Sequence, residues 1–269
     1  MSATASSVLL ASSCHAGSSC GFPAPSLDSF NFKAIFTIGG IGFYKPELLA
    51  LICTALVVWF FWAAFSKPKL VPTGMQNIGE LGYLFVRDQI ARPMIGKRGD
   101  RFVPFLVSLF FFVWALNLMS IIPIAQLPAT SFIAFPASLM LMTYVTYWYQ
   151  AIKNQGFFGF LKNIVPKGVP AWVLPLLVIV EVARVVVIQP FTLMVRLFGN
   201  MFAGHMLLLT FTLATWYLAS WSVGLLFAAT SAIMVLAVFL LELLVQLLQA
   251  FIFTTLAATY IADSLEAGH

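Results

Sequence analysis

The 269-residue chain is 61% hydrophobic and only 9% charged, with a net charge of +5. A soluble domain carries about a quarter charged residues, so a soluble globular fold is excluded. The basic excess does not make a nucleic-acid surface either. Lys67, Lys69, Arg87, Arg92, Lys97, Arg98 and Arg101 share one polar connection, and Lys153, Lys162 and Lys167 share a second, which is the pattern that orients membrane helices.

The chain opens with "MSATASSVLLASSCHAGSSC", which has no basic start and only a short apolar run. It is not a signal peptide by pattern, and residues 1–46 are expected to form an extracytoplasmic tail. His15 reads as an incidental solvent-exposed histidine, and the sequence leaves a Cys14–Cys20 disulfide open. Cys53, inside an apolar run, is expected to pack. The first span is expected over 48–65. In the connection that follows, Met75, Ile78, Leu81 and Phe85 recur at helical spacing between Gly74 and Ile90. This predicts a short interfacial helix with its apolar side on lipid or protein, the alternative being a loop.

Spans two and three are expected over 102–124 and 132–149, joined by a tight hairpin at "AQLPAT". The polar stretch "KNQGFFGFLKNIVPKGVP" reads as a second connection. Two apolar segments follow, 172–215 and 223–262, each about twice the ~20 residues one upright crossing needs. Each is two short helices or one long, steeply tilted helix. The reading is an all-α polytopic membrane protein with about five membrane-embedded helices and one membrane domain, 47–269. Both basic connections fall on one side, so the N-terminus is expected outside and the C-terminus in the cytoplasm. A bacterial plasma membrane fits the long hydrophilic connection and the cytoplasmic lysines better than a mitochondrial one.

Glu181, Arg184, Arg196, His205 and Glu242 fall within the two long segments. Ionisable groups in a bilayer are costly, need partners, and mark ion paths by default. Glu181 and Arg184 are three apart and can pair on one helix; Glu181 reads equally as that partner and as a proton-path residue. Arg196 has no acid within four residues. Asn200, one turn on, can orient a guanidinium but cannot neutralise it. Glu242, Gln246 and Gln249 form a polar stripe at helical spacing. In an antiparallel hairpin, facing residues share a constant sum of numbers: 445 for Arg196 with Gln249, and 447 for His205 with Glu242. Half of either sum falls at "WYLASWSVG", the only plausible turn. Arginine then faces glutamine, histidine faces glutamate, and the missing anion belongs to a partner chain.

"RLFGNMFAGH" together with "ELLVQLLQAFIFTTLAATYI" and "ALNLMSIIP" resembles subunit a of the F-type ATP synthases, over most of the chain. The resemblance implies a membrane proton-channel stator subunit, with Arg196 facing the essential carboxylates of a c-subunit ring. It implies Gln249 as the arginine's partner on the last helix, His205 and Glu242 as the complementary proton-path pair, and Asn117 as the asparagine of the NLM stretch. It also implies peripheral-stalk b subunits and other ATP synthase subunits as partners, all in a lipid bilayer. Two half-channels follow, with Asn200 and Asn117 lining the outer one and Glu181 helping deprotonation at the inner one. One departure concerns Ser120, a position often acidic in the family.

Nucleotide chemistry is expected elsewhere in such a complex, since no Walker A sequence is present. No metal, cofactor or nucleic acid is expected on this chain. The alternative is a secondary transporter using the buried charges, which would favour an internal repeat and helices broken at mid-depth. An intramembrane enzyme would need an aspartate pair, HExxH or a Ser-His couple, none of which is recognisable in the spans.

Overall fold

The computed structural model describes residues 36–38, 41–66, 68–122, 129–156, 159, 173–219 and 224–265. Cys14, His15, Cys20, Lys162 and Lys167 lie outside these residues. Two three-residue strands, β1 (Phe36–Ile38) and β2 (Ile41–Phe43), pair antiparallel with Phe36 opposite Phe43. The remaining regular structure among the described residues is helical.

Helix α1 (Lys45–Phe65) begins with Pro46 in its first turn, where a missing N–H costs nothing. The Tyr44 N–H donates to Glu47 Oε2 at 3.2 Å. Helix α2 (Met75–Val86) starts where Gly74 turns the chain at φ 62°. A π-helical turn (Arg87–Ala91), the short α3 (Arg92–Ile95) and a 3-10 stretch (Gly96–Phe102) lead into α4 (Val103–Leu118). Gly96, at φ 77°, breaks the axis, so α2–α3 and α4 are separate arms although helical residues run from 75 to 118. A 3-10 turn (Ala129–Ser131) precedes α5 (Ala134–Gln155), which stops at Gly156 with φ 72°.

The last two segments are long and continuous. Helix α6 (Leu174–Ala183), a π-helical turn (Arg184–Ile188) and α7 (Gln189–Leu218) form one 45-residue run. The π turn comes just before Pro190, which has no N–H for the ladder, and such turns let a helix pass a proline without breaking. Helix α8 (Gly224–Leu265) has 42 residues. At 1.5 Å per residue these runs are roughly 65 Å long, against a hydrocarbon core of about 30 Å. Upright crossing is impossible, and the pair forms a tilted antiparallel hairpin. Of the two readings for these segments, the single long helix is the observed one, and its tilt follows from its length.

By length and composition, four helical stretches could cross a membrane: Lys45–Phe65, Met75–Leu118, Leu174–Leu218 and Gly224–Leu265. The expected count of about five is close; α5 is as long as α1 but diluted by Thr143, Thr146, Gln150 and Lys153. The expected second span ends early, at Leu118 rather than 124. There the Ser120 and Ile121 N–H groups bond carbonyls three residues back, tightening the chain out of the helix ahead of a proline at position 123. The third span runs six residues beyond Tyr149, until Gly156.

Helix α4 is the centre of the core, with Leu106, Phe110, Val113 and Leu116 buried against the second half of α8, where Phe253, Ala257, Ala258 and Ile261 are buried. Rings step across the bundle from Phe61 to Phe111, Phe110, Phe85 and Phe251, with centroids 5.1 to 6.2 Å apart. The interfacial helix exists, and its apolar stripe faces outward: Met75, Ile78, Leu81 and Phe85 are exposed. Inward it presents Gly79 and Gly82, because lipid supplies no hydrophobic drive between helices and small residues let backbones approach. A Cβ on Gly79 would stand 2.9 Å from Ala64 Cβ of α1, and one on Gly82 would stand 2.6 Å from the Phe111 ring of α4. Cys53 is buried in the same seam, its Sγ 3.7 Å from the Ala115 carbonyl oxygen.

The basic connection is held by exposed charges. Arg92 donates to both Asp100 oxygens at 3.2 and 3.3 Å, with Arg87 and Asp88 beside them. Arg101 reaches Gln150 of α5 at 3.0 Å.

The glycine seam gives an ordered expectation. Gly79→Ala should lower stability by about 1–3 kcal/mol, since two backbones must separate. Gly82→Ala should cost less, because a ring edge can swing. Thermal unfolding of the purified variants in detergent checks the order; equal stability of Gly79→Ala and the unsubstituted chain would contradict the close packing.

Candidate functional site

Helix α7 buries Pro190, Leu193, Leu197, Met201 and His205, a stripe at three- and four-residue spacing. Arg196 is beside Leu197 in sequence but turned off the stripe, exposed at the surface of the chain. None of the ion pairs among the described residues includes it. Helix α8 buries Glu242, Gln246 and Gln249 in one line. Its other side is a run of exposed leucines, including Leu240, Leu241, Leu244 and Leu248.

The hairpin register follows from direct contacts. Asn200 Nδ2 donates to Gln249 Oε1 at 2.9 Å. The Glu242 carboxyl carbon lies 3.7 Å from where a Cβ on Gly204 would stand, so this acid packs against the glycine before His205. Nearer the turn, Ser231 Oγ donates to the Phe211 carbonyl at 3.0 Å. His205 and Glu242 are therefore buried at one level of the hairpin, both about 5% exposed or less. Gln249 takes its bond from Asn200, one turn beyond Arg196. In this register Arg196 lies level with Ala250 to Phe253.

Glu242 is tied to a third helix end. Ser120 Oγ, just past α4, donates to Glu242 Oε1 at 3.1 Å, and Gln246 Nε2 donates to Ser120 Oγ at 2.5 Å. One turn before Ser120, Asn117 is fully buried and its Oδ1 accepts from Thr130 Oγ at 2.9 Å. Sequence reasoning named Asn117 but not Ser120, Thr130 or Gln246 as site residues. The available signal was spacing, because Ser120 follows Asn117 by three and Gln246 follows Glu242 by four.

A second polar group lies at the other end of α8. Tyr144 and Tyr147 of α5 pack on Tyr260 with ring centroids 5.6 to 6.3 Å apart. All three are buried, and the charges of Arg184, Glu181, Asp263 and Arg196 act on their hydroxyls. Glu181 and Arg184 pair as spacing predicts; Arg184 Nε donates to Glu181 Oε1 at 2.8 Å, and Nη2 reaches the same oxygen. Between the two polar groups the buried face of α8 is apolar. Ala250, Phe253, Ala257 and Ala258 fill it, and Thr254 turns its hydroxyl onto its own helix at the Ala250 carbonyl. Among the described residues no three His, Cys, Asp or Glu side chains gather as metal ligands.

Comparison with known proteins decides the family. Residues 48–262 match the model of the ATP synthase A chain. The chain belongs to the ATP synthase A chain family. It is similar to ATP synthase subunit a of Streptomyces lividans, at 48% identity over 261 residues covering 95% of this chain and 92% of that one. Subunit a of Rhodococcus erythropolis is 41% identical over 251 residues, 91% of each chain. That of Frankia alni is 38% identical over 254 residues, 92% and 88%. In this member of the ATP synthase A chain family the matched residues include the hairpin up to position 262, with Arg196, His205, Glu242 and Gln249.

The Asn200–Gln249 bond is testable by itself. Gln249→Leu should lower stability by about 1–3 kcal/mol, because it strands the Asn200 amide. The Asn200→Leu, Gln249→Leu double variant should recover part of that loss. A double-mutant cycle of detergent unfolding measures the coupling, and zero coupling would remove the bond.

Proposed function

We propose that this chain is the proton-translocating subunit a of the ATP synthase membrane sector, supplying two half-channels and the arginine that couples proton flow to rotation of a c-subunit ring. The observation that carries the reading is the level of Arg196. It stands beside the apolar stretch that divides the two polar groups along α8.

A proton enters from outside through the group at His205 and Glu242, with Asn200 and Asn117 lining the way. Histidine beside a carboxylate suits relay, because the imidazole changes charge near neutral pH. The proton then neutralises a carboxylate of the c ring, which can enter lipid. After nearly a full turn that carboxylate reaches the second group, where Glu181 aids its deprotonation towards the cytoplasm. Arg196 attracts the newly ionised carboxylate and blocks direct passage between the half-channels. A guanidinium does this well because it stays protonated in proteins. The exposed position of Arg196 supports a partner as the source of its counter-charge, as does the run of exposed leucines on α8, which suits helices of a ring or lipid.

Peripheral-stalk b subunits are the other expected partners. Nucleotide chemistry belongs to the rest of the complex. The membrane is a bacterial plasma membrane, with the tail outside, the connection 66–101 in the cytoplasm, consistent with that connection's basic residues, and the end of α8 on the same side.

Inverted membrane vesicles carrying the assembled complex test the roles. Arg196→Ala should abolish ATP-driven proton pumping and let protons leak once the catalytic head is stripped. Glu242→Gln should lower passive conduction by about a hundredfold. Wild-type pumping by Arg196→Ala would end the coupling role.

A further inference from the structure

A buried acid that passes protons on must be satisfied both with and without its proton, since an unpaired polar group there costs several kcal/mol. The surroundings of Glu242 meet that demand in an unusual way. Its carboxylate accepts from Ser120, a hydroxyl on another helix end, and Ser120 in turn accepts from Gln246. Ser120, Glu242 and Gln246 are all buried, and Gln246 is fully so. Both members of the chain can reverse: a hydroxyl donates and accepts, and an amide offers an oxygen at one end and N–H groups at the other. With Glu242 ionised, the bonds run from Gln246 N–H to Ser120 to carboxylate. With Glu242 protonated, its O–H donates to Ser120, whose hydrogen turns to the Gln246 carbonyl once the amide turns end for end. Each link keeps one donor and one acceptor in either direction, and the only covalent change is the proton that Glu242 gains or loses.

We propose that Ser120 and Gln246 are positioning residues forming a reversible hydrogen-bond relay that holds Glu242 in one place through both protonation states. Two further buried atoms extend the relay. Asn117 Nδ2 is a donor and Gln246 Oε1 an acceptor, and neither has a protein partner among the described residues. They are complementary; Gln246 bonds the Ser120 hydroxyl directly, and Asn117 precedes Ser120 by three residues. Water reaching Glu242 from outside binds there, so the path runs along the seam between the end of α4 and α8. Ser120 thus keeps a role in proton entry without a charge of its own, by acting on Glu242 rather than by carrying the proton.

The inference rests on Glu242 as a proton-path residue, and the test separates the two. Passive proton conduction by head-stripped vesicles is measured across pH, and normalised to assembled complex, for Ser120→Ala, Gln246→Leu, Ser120→Thr and Glu242→Gln. Loss of one hydrogen bond to a charged group should lower conduction about tenfold in Ser120→Ala and Gln246→Leu. Both should displace the pH midpoint in the same sense. Ser120→Thr, which keeps the hydroxyl, should restore most of the conduction. If Glu242→Gln is inactive while Ser120→Ala and Gln246→Leu conduct at wild-type rate with an unmoved midpoint, the relay is wrong and the role of Glu242 survives. If Glu242→Gln conducts normally, both fall. A fall only in the amount of assembled complex would mark a structural contact and overturn the relay; should Ser120→Ala fail to assemble, Gln246→Leu and Ser120→Thr decide.

Discussion

A polar group without a partner inside hydrocarbon costs several kcal/mol, and most of this fold is arranged around that penalty. Glu242, Gln246 and Gln249 stand in one line on α8. Each must therefore meet something polar from another element. Asn200 of α7 meets Gln249, and Ser120, past α4, meets both Glu242 and Gln246. Those requirements fix the hairpin register on one side and the end of α4 on the other. Helix α4 then has to be central, and α1 and α2 close around it through Ala64, Gly79, Gly82 and Phe111.

Arg196 stands outside that arrangement. It is a permanent cation on the outer side of α7, away from the buried stripe and from every ion pair among the described residues. A charge left there in lipid would be among the most expensive features of the molecule. Under the proposed function another chain brings an anion to it. In the same reading the leucines that α8 presents outward meet a ring of partner helices or lipid.

The sequence was most readable where a rule is set by length. Forty apolar residues cannot stand upright in a bilayer, and the spacing of Arg196, His205, Glu242 and Gln249 about one turn was enough to set the hairpin register to within a few residues. The Glu181–Arg184 pair was legible for the same reason, since three residues apart is a fixed distance on a helix. Ser120 was not. Its importance comes from a contact 122 positions away in the chain, and no periodicity reports such a distance. The orientation of α2 was hidden too. Met75, Ile78, Leu81 and Phe85 look like a face made for packing, yet in a membrane the apolar face can look outward and the glycines inward. The end of α4 depended on how Ser120 and Ile121 turn their N–H groups, a local choice that apolar content does not reveal.

Two acids of the long hairpin, Glu242 and Glu181, differ in a way that bears on direction. Glu242 is enclosed and held by a hydroxyl from another helix, so its geometry survives only while α4, α7 and α8 stay packed. Glu181 pairs with Arg184 on its own helix, and the arginine is half exposed. Under the two-half-channel reading, the entry side needs a fixed group that can hand a proton to a passing carboxylate without admitting bulk water. The exit side needs only a labile acid near water. An enclosed relay at one end of α8, a looser pair at the other and an apolar stretch of alanine and phenylalanine between them are the minimum that such a division of labour requires.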